Sequence, residues 1–495
     1  MNREQTARHA RGIRVWLFLL SVVAAAGCKV GPDYHRPAPL GTNSVPAAFT
    51  GITNEPGSAR WLTAQPASHL PRGRWWRIFE DGELDRLEDL AEGNNQPVMA
   101  ALARLDEARA SVKVARADLL PQVQLDPSYT RQRTSFYAPQ NGHAAGIAPT
   151  YNTFTALLQA GWEADVWGRV RRQVEAARAQ LGASAEDVAA IKLTTQAEVA
   201  SDYFTLRALD SEADVLVRTI ETYRRSLELT VNRRKGGVAT DLDVSQAETQ
   251  LRTPEAQLPA IRLQRAQVVH ALASLCGRVP EAFALTAEPL GLGAAPMAPV
   301  SLPSELLERR PDIAAAEQRM IAANANVGVA EGAFYPHIVF NGLAGLQSVD
   351  ATTWLHWPSR LWSVGPSLEL PLFTGGRNRA QLSLARAQYE ENVANYRQVV
   401  LGAFQEVEDQ LAAQTLLASQ LEAEAAALKA AQRTLEIANN RYKSGLVTYL
   451  EVATAQSAAL TLESTVVQLR GQELVAVVGL VKALGGGYGP ATERE

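Results

Sequence analysis

The stretch Asn232-Arg233-Arg234-Lys235-Gly236-Gly237-Val238-Ala239-Thr240-Asp241-Leu242-Asp243-Val244 returns about 208 residues later. The second copy reads Asn440-Arg441-Tyr442-Lys443-Ser444-Gly445-Leu446-Val447-Thr448-Tyr449-Leu450-Glu451-Val452. Each copy closes a long run of helix formers. Arg169–Asn232 and Arg377–Lys443 are rich in Ala, Glu, Gln, Arg and Leu and contain no proline, so each predicts one helix of roughly 95–100 Å at 1.5 Å per residue. A helix that long cannot bury a stripe inside a compact domain and must lie along other long helices. Gly236-Gly237 and Gly445 stop the runs, because a glycine just past a helix supplies the left-handed residue that reverses the chain. Helical pattern resumes over Asp241–Leu275 and Tyr449–Leu484, giving two helical hairpins. Pro254 and Pro259 lie in the first returning helix and predict a bend or break there.

Working outward, the repeat extends upstream. Gly168-Arg169 aligns with Gly376-Arg377, and Ala117-Asp118-Leu119-Leu120-Pro121 with Gly332-Ala333-Phe334-Tyr335-Pro336. Two copies of a unit of about 200 residues, each helix, two strands, helix, turn, helix, account for most of the chain. Between the helices the period changes to two. Val123, Leu125 and Tyr129 alternate with Gln122, Gln124, Asp126 and Ser128; Phe154, Ala156, Leu158, Ala160 and Trp162 alternate with Thr155, Gln159, Gly161 and Glu163. In the second copy Trp362, Val364, Pro366, Leu368 and Leu370 alternate with Ser363, Gly365, Ser367 and Glu369, while Ile338, Phe340 and Gly342 continue the apolar set less cleanly. Apolar residues one way and polar or small ones the other suit a barrel with a wet interior. Aromatics at the strand ends (Phe136, Tyr137, Tyr151, Phe154, Trp162, Trp167, Trp354, Trp357, Trp362) fit interfacial belts. Four strands cannot close a barrel, and open edges are not tolerated in lipid. Several chains must therefore contribute: a dimer gives eight strands and a filled interior, a trimer twelve and a lumen, and the residues alone do not choose.

The chain's start reads as an address. Arg3, Arg8, Arg11 and Arg14 precede an apolar run, Val15 to Ala26, that is too short to span a bilayer and fits a secretory signal. It ends in Ala25-Ala26-Gly27-Cys28, which resembles a bacterial lipobox, with Ala25 where leucine is usual. Cys28 is then the lipidation site, carrying diacylglycerol and palmitate; the plainer reading is an incidental thiol after an ordinary signal. Lys29 is not the aspartate that retains lipoproteins in the inner membrane, so the resemblance implies the outer one. The one other cysteine, Cys276, reads as a buried small hydrophobe. No later apolar run reaches the roughly 18 residues of a membrane helix.

At 495 residues, with a net charge of −4 and 20% charged residues, the chain carries no electrostatic footprint for nucleic acid. No phosphate loop, His-Glu-x-x-His, Gly-x-Ser-x-Gly or metal-ligand cluster is present, and the seven histidines are scattered, so neither an enzyme nor a metal site is expected.

Several motifs, in order, carry a wider resemblance. They are Gly27-Cys28-Lys29-Val30-Gly31-Pro32-Asp33-Tyr34, Trp75-Trp76-Arg77-Ile78-Phe79, Asp165-Val166-Trp167-Gly168-Arg169 and Arg309-Arg310-Pro311-Asp312-Ile313. Leu370-Pro371-Leu372-Phe373-Thr374-Gly375-Gly376-Arg377 and the two glycine turns complete the set. Nearly the whole mature chain resembles the outer-membrane factor family of TolC/OprM-like channels, in its NodT-like lipoprotein branch. The resemblance implies a mostly α protein with membrane β structure. Its trimer forms a twelve-stranded barrel, four strands per chain, over a long periplasmic helical barrel with an equatorial domain. It implies docking on a periplasmic adaptor and an inner-membrane pump, of RND type, for small-molecule efflux. Protein secretion through the same duct is the alternative, and a non-channel structural lipoprotein a more distant one. The segments expected are a signal over 1–27, a lipidated linker over 28–80, repeats over 81–276 and 304–485, a connector over 277–303 and a tail over 486–495.

By the turn alignment, the resemblance also assigns a periplasmic gate to the acids Asp243 and Glu451 and the tyrosine Tyr442. One carboxylate per chain becomes a ring of three, which repels anions and attracts cations. Val447 and Thr454 depart from the family pattern, where arginine and an acid are common, so the closed-state network is expected to be differently made. Asp243 and Glu451 also read simply as first-turn helix acids favoured by the dipole. Arg233, Gly237, Arg441 and Gly445 are candidates for adaptor-docking tips; both arginines equally read as cations closing a helix.

Overall fold

The computed structural model describes residues 29–40, 49, 62–63, 73–135, 150–291, 296, 299–300 and 309–486. Cys28, Phe136 and Tyr137 lie outside them. In chain order the main elements are α1 (Gly82–Asn94), α2 (Gln96–Ala117), β1 (Gln122–Arg133), β2 (Thr150–Ala164), α3 (Arg169–Lys235) and α4 (Asp241–Leu275). They continue with α5 (Pro311–Gly332), β3 (His337–Ser348), β4 (Arg360–Glu369), α6 (Arg377–Lys443) and α7 (Tyr449–Ala483). The tandem order α2-β1-β2-α3-α4 and α5-β3-β4-α6-α7 makes the repeat explicit. Both long helices, α3 and α6, contain 67 residues, and both returning helices, α4 and α7, contain 35.

The chain divides into two compact units, the first made of residues 1–37, 105–183 and 316–395. Its centre is an antiparallel sheet in the order β1-β2-β3-β4. Register assigns the faces. Val123 pairs with Ala160, Leu125 with Leu158, Tyr129 with Phe154, Leu158 with Ala344, and Trp162 with Phe340. Phe340 in turn pairs with Pro366, Gly342 with Val364, and Ile338 with Leu368. Directly paired residues share a face, so the apolar sets of all four strands lie on one side of the sheet. The other side carries Gln122, Gln124, Asp126, Thr155, Gln159, Glu163, Asn341, Ser363 and Ser367. The apolar face is open to solvent in the single chain: Val364 is 76% exposed and Leu368 68%. At the strand ends Trp162 donates to the Leu119 carbonyl and Trp167 to that of Pro336, both at 2.9 Å.

The second unit, residues 38–104, 184–315 and 396–495, is built on helix packing. Trp75, Trp76, Leu84, Leu87, Tyr203, Phe204, Leu272, Val478 and Val481 form its largest core. Asp81 caps α1 by accepting from Glu83 N and Leu84 N, and its second oxygen accepts from the Tyr203 hydroxyl at 2.6 Å. Buried Asp210 accepts from Arg265 at 2.5 Å, Arg207 at 3.3 Å and Glu288 N at 3.0 Å, which ties the chain beyond α4 back onto α3. One half of an expectation, the break, is not met here. Pro254 and Pro259 lie inside α4, yet the helix runs through both without a break. Each proline deletes a single backbone donor, and the packing of buried Ala247, Leu251 and Pro254 holds the helix across the gaps.

Candidate functional site at the hairpin tips

Both long helices end the same way. Gly237 and Gly445 take φ of 78° and 77°, the left-handed conformation that costs glycine nothing. Val238 N bonds Arg233 O at 2.9 Å and Gly237 N bonds Arg234 O at 2.9 Å; Leu446 N and Gly445 N repeat this to Arg441 O and Tyr442 O. These paired bonds satisfy carbonyls the helix ends leave open. The turns are alike, but the acids that follow them are not.

Asp243 completes a reciprocal cap. Its N–H donates to Thr240 Oγ1 at 3.2 Å, while its Oδ2 accepts from Thr240 N and the Thr240 hydroxyl, both at 2.8 Å. Its other oxygen, Oδ1, accepts from the backbone N–H of Tyr449, in the second copy, at 3.3 Å. Burial acts to raise its pKa, but the hydrogen bonds from Thr240 and Tyr449 and the charge of Arg233 outweigh it and hold the carboxyl below its ordinary value. Glu451, its counterpart by repeat, makes no cap. Thr448 has no side-chain capping bond, and the Glu451 carboxylate, about half exposed, meets only Arg441 among the described residues, at 3.4 Å.

The arginines diverge as well. Arg441 stays with its own copy. Arg233 crosses to the second, donating to Lys443 O at 3.0 Å and lying over the Tyr442 ring at 4.7 Å. Tyr442 is 5% exposed and donates to Thr230 Oγ1 at 3.3 Å. Its ring meets Tyr449 edge-on at 5.5 Å. Tyr449 is 1% exposed, donates to Gln456 Oε1 at 3.1 Å, and has its pKa pushed up to about 12 by burial and by Tyr442. Gln456 passes the chain on to Ser226 at 3.4 Å.

Of the residues singled out in the sequence, Arg233, Asp243 and Tyr442 thus form one knot joining the two hairpins of a single chain. Glu451 and Arg441 form an exposed pair beside it. Val447 packs against the tip cluster of Ala438, Tyr442, Tyr449 and Val452, and the Thr454 hydroxyl bonds back to Leu450 O. Thr230, Thr240, Tyr449 and Gln456 were not singled out. Thr240-Asp241-Leu242-Asp243 carries the readable capping spacing, and Tyr449 stands where the first copy has Asp241, a break in the repeat that marks a changed job. The other two have no local signal.

Tandem copies of strand pair plus long helical hairpin, with an apolar sheet face open to its surroundings, define a subunit of a membrane-embedded channel. The chain belongs to the outer membrane efflux protein family, which matches residues 87–278 and 302–486. It is 33% identical over 475 residues to the outer membrane protein OprJ of Pseudomonas aeruginosa, covering 95% of each chain. It is 30% identical over 478 residues to SilC of Salmonella typhimurium, a probable outer membrane lipoprotein, covering 95% of this chain and 98% of that one. The solved outer-membrane channel OprN superposes with a TM-score of 0.84 at 28% identity, over 93% of this chain and 99% of that one. The protein is an outer-membrane efflux channel component and resides in the outer membrane.

Proposed function

We propose that three copies of the chain close a twelve-stranded barrel in the outer membrane, and that their helices form a passive periplasmic duct with no reaction of its own. The observation that carries this is the sheet. Its four strands put their apolar residues on one face, and the outer edges of β1 and β4 pair with nothing among the described residues. Unpaired edges in hydrocarbon cost several kcal/mol per group, so sister chains must pair with them. Twelve strands leave a lumen where eight would be filled. A periplasmic adaptor and an RND-type inner-membrane pump feed small molecules into it, the adaptor meeting the tips at Arg233, Gly237, Arg441 and Gly445. The anchor is the lipid on Cys28, in line with SilC, a probable outer membrane lipoprotein.

The acids at the tips divide the work of a gate between them. Glu451 is the exposed acid that supplies a ring of three at the duct's end. Asp243, Arg233 and Tyr442 instead hold the two hairpins of one protomer together. Parting them breaks the Asp243–Tyr449 and Arg233–Lys443 bonds, at about 1.5–3 kcal/mol each for charged groups, and the ring contact, at about 0.5–1 kcal/mol. A few kcal/mol is the scale of a closed state that a partner's binding can overturn. The test is conductance in planar bilayers. Purified protein should form pores, enlarged or opened more often by Asp243→Asn and made less cation-selective by Glu451→Gln. Silent bilayers, or pores indifferent to both changes, would remove the channel or the gate respectively.

A further inference from the structure

The first described residues, Lys29 to Tyr34, are held as if they were part of the fold. Arg172, near the start of α3, is completely buried, with its side chain 1% exposed. Its guanidinium spans three consecutive carbonyls: Nε donates to Val30 O at 3.1 Å, and Nη2 to Gly31 O at 3.0 Å and Pro32 O at 2.9 Å. Nη2 also reaches Asp33 Oδ1 at 3.2 Å, and Nη1 is steadied by Glu175 at 3.2 and 3.3 Å.

Other groups clasp the same segment. Val30 N donates to Trp167 O at 3.0 Å, and buried Asn324 on α5 donates to Pro32 O at 2.9 Å. Lys29 pairs with Glu175 at 2.9 Å, and Arg36 with Glu317 at 2.6 Å. Gly31 has φ of 95°, and a Cβ there would overlap the Gly328 backbone of α5. A Cβ on Gly328 would in turn meet Arg172 Nε at 2.8 Å.

A buried cation is stable only when paired and fully hydrogen-bonded. Four of the six oxygens satisfying this one belong to the strap, three of them main-chain carbonyls, so strap and arginine require each other. A planar fork serves several carbonyls at once, which an ammonium on a flexible stem does not. The strap also stitches the two copies, since Trp167 and Arg172 belong to the first and Asn324 and Gly328 to the second.

We propose that Arg172 is a positioning residue for the lipid anchor. By clasping Val30–Asp33 it converts the mature N-terminus from a loose tether into a fixed strap, so that the acyl groups leave the chain at one place, beside Trp167 at the end of β2. This rests on the reading of Cys28 as the acylated residue, which is joined directly to Lys29. An anchor leaving from a fixed point enters the leaflet in register with its own protomer's strands, and the cost of ordering a free tether at each insertion is removed.

The test uses trypsin on the full lipidated protein in detergent micelles, where the strap is open to the protease, with the N-terminal peptides read by mass. Cutting after Lys29 severs the anchor from the chain. The strap should slow this cut, and Arg172→Lys, which keeps the charge and loses the fork, should speed it about tenfold or more. Gly31→Ala dislodges the strap from its own side, against the Gly328 backbone, and leaves the Arg172 side chain itself unaltered; it should give the same gain if Arg172→Lys fails to fold. Both variants should keep the heat-sensitive oligomer. Acylated peptides released at equal rates from wild type and both variants would overturn the proposal. A peptide lacking the acyl mass would overturn the anchor reading itself, and the proposal with it, whatever the rates.

Discussion

Glu88 offers the sharpest test of the packing in the helical unit. It sits on α1 with 1% of its surface exposed, and neither carboxyl oxygen has a hydrogen-bond partner among the described residues. Burial first, then the neighbouring acids Glu92, Asp89 and Asp85, raise its pKa from 4.5 to about 9. The folded protein therefore holds a proton at neutral pH that the unfolded chain releases. Stability linked to this group is fully present below pH 4.5 and is lost as pH rises toward 9. Between those limits the slope is about 1.4 kcal/mol per pH unit, so from pH 5 to pH 8 the native state loses about 4 kcal/mol from this one site. Glu88→Gln keeps the shape and cannot ionise. Its absolute stability is set by two amide donors with no partner in place, but its pH slope lacks this contribution. Thermal midpoints of wild type and variant in detergent, compared at pH 5, 6, 7 and 8, should diverge in the variant's favour. At about 1 °C per kcal/mol for a chain of this length, the relative shift amounts to about 4 °C. Parallel pH curves would show that Glu88 is ionised or solvated in the folded protein, and the close packing around α1 would be wrong.

Further outcomes follow from the tips and the sheet. The Thr240–Asp243 cap depends on an ionised Asp243 whose pKa is depressed, so its contribution is present above pH 3.8 and is lost as pH falls below that value through the depressed one; the Thr240 and Asp243 N–H groups should lose their protection from hydrogen exchange over that acid range. Tyr442→Phe removes the hydroxyl bond to Thr230 and should cost about 1 kcal/mol in denaturant unfolding, with the turn intact. Val364→Arg places a charge on the apolar face, where the cost in the bilayer is about 2–4 kcal/mol; it should cut the yield of membrane oligomer, whereas Ser363→Arg, on the opposite face, should preserve assembly and alter conductance.

The large architecture was legible because it rests on patterns with short periods. Glycines placed after proline-free helix formers gave both reversals, and dyad alternation gave strands whose apolar sets the register then put on a single face. Pro254 and Pro259 offered a break that the helix does not make, because a deleted backbone donor is a local signal while the packing of Leu251 and Ala247 that tolerates it is not. At the tips, the repeat alignment found Asp243, Glu451 and Tyr442, yet it treated the two acids as equals. Their division of labour depends on Thr240 capping and Thr448 not capping, and on Tyr449 N pointing across the repeat. Arg172 was not singled out at all. Three of its partners are main-chain carbonyls about 140 positions away, and no side-chain pattern records such a contact.

Everything turns on whether foreign strands seal the sheet's two free edges. Native mass measurement of the detergent-extracted protein, before and after heating, addresses this directly. The account predicts a particle of three chains that falls to single chains only on heating. A stable particle of one chain, holding its four strands without partners, would contradict it.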